Sequence, residues 1–116
     1  MRRDDRNRLE HILEATKEAI HFSDGKNRAD LDTDKQLARA LERVVEIIGE
    51  AATNVSPETR RNFPEIPWNQ MRGMRNRLVH AYYNINLDYL WDTVSGELPG
   101  LLKVIRDILA EDEQTE

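Results

Sequence analysis

Leu37-Ala38-Arg39-Ala40-Leu41-Glu42-Arg43-Val44-Val45-Glu46-Ile47-Ile48-Gly49-Glu50-Ala51-Ala52 is the stretch that decides the fold. Leu37, Leu41, Val44, Val45, Ile48 and Ala52, continued by Val55, recur at steps of three and four, the spacing that gathers side chains on one face of an α-helix. The stripe is broad enough to be the spine of a helical bundle. Thr33 with Gln36 three residues later predicts a capping box at its start, which would satisfy the first free backbone donors.

The flanking segments carry the same period. Leu9, Ile12, Leu13, Thr16 and Ile20 predict an amphipathic helix from about Asp5 to Phe22, with Asp4, Asp5, Glu10, Glu14 and Glu18 mostly on its other faces. Ser23 to Asp32 reads as a loop. Ser56-Pro57-Glu58 is a cap followed by proline at the first helical position, opening a short turn through Arg61. After Pro64 and Pro67, a third helix is predicted through Trp68, Met71, Met74, Leu78 and Tyr82. Asn86 is placed to cap the last helical region, Leu87 to about Glu111, with a kink expected at Pro99-Gly100. Together these segments predict an all-α, up-down four-helix bundle without a sheet, as a single domain over residues 1–116 with an acidic, frayed tail at 111–116.

Composition narrows the chemistry. The chain has 116 residues, few glycines and prolines, and no cysteine, so no disulfide, thiolate metal site or cysteine nucleophile is available. The charged N-terminus leads into an amphipathic segment rather than an apolar run, which reads as neither secretory signal nor anchor; a cytoplasmic protein is expected. The net charge is −5, yet from Ser56 to Tyr83 five arginines face two glutamates. One basic region, all arginine, thus sits on an acidic body. Phosphate loops, zinc-binding helix motifs and serine elbows are missing, and His11 and His21 stand almost three helical turns apart, so no metal or other cofactor is expected.

What remains is Met74-Arg75-Asn76-Arg77-Leu78-Val79-His80-Ala81-Tyr82-Tyr83. A histidine can take a proton from a ribose 2′-OH or return one to a leaving oxygen, and an arginine offers a permanently charged, planar fork to phosphate oxygens. On a continuous helix Arg75 and His80 would lie about 140° apart, whereas Asn76 with His80, and Arg75 with Tyr82, would share faces. Either the helix ends or bends near His80, or a second copy supplies complementary residues; cyclisation needs both a base and an acid, which favours the second. The same residues also read without catalysis, as a surface ion and a core-edge histidine, with Tyr82 and Tyr83 packed and Arg72 and Arg77 solvated.

Ile47-Ile48-Gly49-Glu50-Ala51, Ile66-Pro67-Trp68, Gly73-Met74-Arg75-Asn76 and Leu78-Val79-His80-Ala81-Tyr82, with Trp91 and the Leu98-Pro99 of the last helix, resemble the HEPN superfamily. Within it the chain is most similar to HepT-like ribonuclease toxins encoded beside an MntA-like minimal nucleotidyltransferase. The superfamily's mark is an arginine, a polar residue after it, and a histidine a few residues on, which Arg75, Asn76 and His80 match. The resemblance implies a metal-independent endoribonuclease, the toxin of a type VII-like toxin-antitoxin pair, with a composite site between the subunits of a homodimer. In it Arg75 would polarise the scissile phosphate, His80 would be general acid or base, and Asn76 would position one of them. It also implies that Tyr82 is adenylylated by the partner nucleotidyltransferase, silencing the enzyme. Arg72 and Arg77 are expected to guide the RNA strand, as Arg60 and Arg61 could. Glu50 could orient Arg72 or Arg75, or form a structural ion pair alone; Trp68 and Trp91 are read as packing. The competing reading is a non-catalytic helical dimer that serves the nucleotidyltransferase as scaffold or nucleotide-binding subunit.

Overall fold

The computed structural model describes residues 1–81 and 84–115, and the side chains of all of these except His80, Ala81, Gln114 and Thr115. In chain order the elements are α1 (Arg3–Ser23), α2 (Asp30–Thr33), α3 (Lys35–Asn54), α4 (Pro57–Asn62), α5 (Trp68–Leu78), β1 (Val79–Ala81), β2 (Asn84–Ile85), α6 (Leu87–Asp92), a π-helical turn (Thr93–Glu97) and α7 (Leu98–Thr115). The bundle is the expected one. α3 packs between α1 and α5, and α1 also packs on α7. Leu37, Leu41, Val44, Val45, Ile48 and Ala52 of the quoted stretch are all buried, joined in one core by Leu9, Ile12, Met71, Met74, Leu78, Leu90 and Ile105. No helix among the described residues is long and apolar enough to cross a membrane.

Two of the three expected caps stand. Ser56 accepts from the Thr59 amide and Asn86 from the Tyr89 amide. The third is shifted by one residue: Asp34, not Thr33, caps α3, accepting from the Leu37 amide at 3.1 Å. The short α2 accounts for this, because it buries Leu31 and takes Thr33 into its own helical turn, leaving Asp34 as the first residue in the extended conformation that a cap requires.

Asp5 departs further from expectation. Placed by the sequence on an outer face, it is buried and receives three hydrogen bonds: from the Ser56 amide at 2.9 Å, the Ser56 hydroxyl at 2.5 Å and the Thr59 hydroxyl at 2.7 Å. One carboxylate thereby ties the first turn of α1 to the start of α4. At Glu111, where the sequence reads as an acidic tail, α7 continues to Thr115. Asp112 is buried there, paired with Arg6 at 2.6 Å and the N-terminal amine at 3.4 Å.

The sequence misplaces two backbone features. The third helix stops at Leu78 and the chain turns into an antiparallel pair, β1 with β2, Val79 opposite Ile85 and Ala81 opposite Asn84 with a bulge between them, so the expectation of no sheet is wrong locally. The Leu78 carbonyl, which would otherwise continue the helix, accepts from the Asn86 amide at 2.7 Å. The irregular turn in the last helix also falls ahead of Pro99-Gly100, at Thr93–Glu97. Inside a regular helix the Pro99 ring would press on the carbonyl four residues back, that of Ser95, and the wider π turn containing Ser95 relieves that clash.

Candidate active site

α5 is the element that carries the candidate site, and Gly49 sets how closely it lies on α3. A Cβ at Gly49 would stand 3.3 Å from the Met71 carbonyl oxygen and 3.5 Å from the Arg75 amide nitrogen, so the absence of a side chain lets the two backbones nearly touch. That contact brings Arg75 beside Glu50, guanidinium to carboxylate at 3.7 Å. Both are exposed, Arg75 at 66% and Glu50 at 49%, so the pair contributes less than about 1 kcal/mol to stability. Its effect is on where the guanidinium points. Gly49→Val should cost about 2 kcal/mol of stability by overpacking this contact. Melting curves check this, and an unchanged midpoint would mean the helices have room to spare.

Arg75 opens onto a groove of about 910 Å³ between α3 and the β1–β2 ribbon. Val79, Ile85 and Leu31 give it apolar walls; Glu42 and Glu46, one turn apart on α3, give it carboxylates. Burial and the neighbouring Glu46 push the Glu42 carboxyl above its usual range, against the pull of Arg39. The sequence reading missed this acidic wall, although Glu42, Glu46 and Glu50 recur at intervals of four, the spacing that aligns residues along one helix face.

The other expected residues fall in different places. His80 is the central residue of β1. Since the helix ends two residues earlier, at Leu78, the 140° separation does not apply; the helix ends, the first of the two options, and the chemical reason for a second copy is untouched by this. Asn76 is exposed and does not line the groove of Arg75, and it no longer shares a helical face with His80. Arg72, one turn before Arg75, faces a second cleft, between α4 and α5. Arg77 lies elsewhere, its guanidinium 3.1 to 3.3 Å from where a Gly73 Cβ would stand. Tyr82, the expected adenylylation site, and Tyr83 lie outside the described residues. Trp68 is buried with its indole donating to the Phe63 carbonyl at 2.9 Å, a packing role. Among the described residues no group of histidines and carboxylates is placed to hold a metal ion.

The model of the family described as "Ribonuclease HepT-like" matches residues 12–108, which include α3, α5, both strands and the π turn. The chain belongs to the HepT-like ribonuclease family. Among curated proteins it is 39% identical to the "Probable ribonuclease HepT" of Thermococcus cleftensis, over 87% of this chain and 92% of that one. It is 37% identical to "Putative RNase TTE0752" of Caldanaerobacter subterraneus subsp. tengcongensis, over 90% and 94%. To "Putative RNase MJ0127" of Methanocaldococcus jannaschii it is 34% identical, over 92% of each. No solved structure matches it. In this HepT-like chain, then, Arg75 and His80 sit on either side of a helix-to-strand junction that the family model spans.

Proposed function

We propose that this chain is a metal-independent endoribonuclease, the toxin of a type VII-like toxin-antitoxin pair, which cuts RNA by attack of a ribose 2′-OH on the adjacent phosphorus. The observation that carries the reading is the Arg75 guanidinium at the mouth of an open groove, five residues before His80, in a member of a ribonuclease family. In the first half of the reaction a base removes the 2′-OH proton as the oxygen bonds to phosphorus. In the second half the bond from phosphorus to the 5′-oxygen breaks, and an acid gives that oxygen a proton. The products are a 2′,3′-cyclic phosphate and a 5′-hydroxyl, and no other reactant is consumed. His80 is the acid or base, Arg75 stabilises the charge that gathers on the phosphate oxygens, and Asn76 positions one of them by hydrogen bonding. With one histidine per chain in the motif, a homodimer supplies the second proton-transfer group.

The regulatory partner in this reading is a minimal nucleotidyltransferase antitoxin. Adenylylation joins the Tyr82 oxygen to the α-phosphorus of ATP and releases pyrophosphate. The added AMP brings bulk and negative charge to a site built for an RNA phosphate. The cytoplasm is where such a pair would act.

The deciding experiment is mass analysis of RNA ends after incubation with protein free of tyrosine-bound AMP, in EDTA. Cyclic phosphate and 5′-hydroxyl ends are expected. Intact RNA at high protein concentration would leave the non-catalytic scaffold as the better reading.

A further inference from the structure

A cleft of about 650 Å³ separates α4 from the start of α5, and its lining includes Arg60, Arg61 and Arg72 but not a single carboxylate. Such a volume is typical of ligand sites. The charge is exceptional for this molecule, whose net charge is −5. The groove of Arg75 sets Asp32, Glu42 and Glu46 against its cations, and the hollow beside α1 and α7 sets Glu10, Glu14 and Glu113 against Arg6 and Arg106. In the α4–α5 cleft no carboxylate lines the wall beside the guanidiniums, and among the described residues none of the three forms an ion pair within 4.0 Å. Holding like charges together without a counter-charge is unfavourable in the free protein, and an anion relieves it. Arg72 stands one turn before Arg75, about 60° around the helix, so the cleft and the candidate active site share one exposed side of α5. Asn69 and Gln70 add amide groups to the wall, and Pro57, Pro64 and Pro67 add rigid apolar surface.

We infer that this cleft is a second RNA-binding site, separate from the catalytic groove, which holds backbone phosphates of the single strand flanking the cut through Arg60, Arg61 and Arg72. The inference rests on the ribonuclease reading for its choice of anion. Planar guanidinium forks suit phosphate oxygens, while the apolar walls accept sugar and base faces without demanding a sequence. The cleft therefore sets substrate length and register; Arg77 is not among its lining residues.

The test is binding of a fluorescent single-stranded RNA of about 12 nucleotides, in EDTA, by the His80→Ala protein, followed by anisotropy across a range of KCl concentrations. Adding Arg60→Ala and Arg61→Ala should weaken binding about tenfold. It should also reduce the slope of log affinity against log salt by about 1.4, two phosphates at roughly 0.7 each. Lys103→Ala with Arg106→Ala removes the same charge from the exposed side of α7 and should change neither. In otherwise wild-type protein the Arg60 and Arg61 substitutions should lower kcat/KM on the long RNA by the same factor and leave a dinucleotide substrate untouched. If the double variant does not fold, the single Arg61→Glu at an exposed position reads the same quantities.

An unchanged slope and affinity overturn the inference even if cutting is normal. Protein that cuts nothing but shows the expected slope change overturns the nuclease and keeps the cleft. A change of assembly mass without RNA, with the slope preserved, makes the cleft a protein contact and also overturns the inference.

Discussion

His80→Ala is expected to lower RNA cleavage by about 10³-fold, which corresponds to roughly 4 kcal/mol of transition-state stabilisation. A general acid or base supplies this much because the 2′-OH is a poor nucleophile and the 5′-alkoxide a poor leaving group at neutral pH. His11 and His21 both belong to α1, whose main packing partners are α3 and α7, so neither is expected to take its place. Arg75→Ala should cost about 10² to 10³-fold by removing the charge that meets the pentavalent phosphate. Arg75→Lys should recover only part of that, because an ammonium cannot grip two oxygens in one plane. With its side chain 66% exposed, Arg75 should be replaceable with little change in melting temperature. Rates on a defined RNA, with melting curves of the same preparations, provide the measurement. Cleavage within a factor of a few of wild type in the His80 variant would remove the imidazole from the mechanism.

The largest effect on stability is expected at Asp5. Asp5→Ala removes the acceptor of three hydrogen bonds and leaves the Ser56 amide and the Ser56 and Thr59 hydroxyls facing a cavity, which should cost about 3 kcal/mol. For a domain of this size the melting temperature should drop by about 10 °C. The effect depends on pH in a definite direction. Burial by itself would raise the Asp5 carboxyl, but the hydrogen bonds from Ser56 and Thr59, with the nearby Arg2, outweigh it and hold the group below the usual carboxylate range. A group whose folded pKa is depressed stabilises the fold above its unfolded pKa, about 3.9, and loses that contribution as pH falls through the folded value. Wild type and variant should therefore differ most near neutrality and converge in strong acid. A constant difference across that range would assign the loss to packing alone.

The sequence makes the bundle legible wherever the cause is local. The stripe of α3, the Ser56 and Asn86 caps, and the burial of Met71, Met74 and Leu78 each follow from spacing within a few residues. Asp5 was misread because its partners lie 51 and 54 residues away, beyond any periodicity. The ribbon after Leu78 left a trace that the helical period hid: Val79 and Ile85 are β-branched, a type that favours strands. Extending the helix past Val79 put Arg75 and His80 on a wheel that the backbone abandons before His80. Thus Arg75 and His80 could be picked out from their motif, the acidic wall of Glu42 and Glu46 could not, and the geometry depended on a helix end where the Leu78 carbonyl accepts from the Asn86 amide and the chain enters β1.

The uneven placement of charge also bears on events before any contact forms. A body that is negative overall but lines its α4–α5 cleft with arginines and no carboxylate has an uneven field, and in the proposed reading a polyanion drifting near it feels a torque as well as a net repulsion. If RNA is the substrate, collisions would thereby be filtered by orientation, strands being turned away at the acidic flanks and drawn in at the arginine cleft. The association rate should fall as added salt shortens the reach of that field.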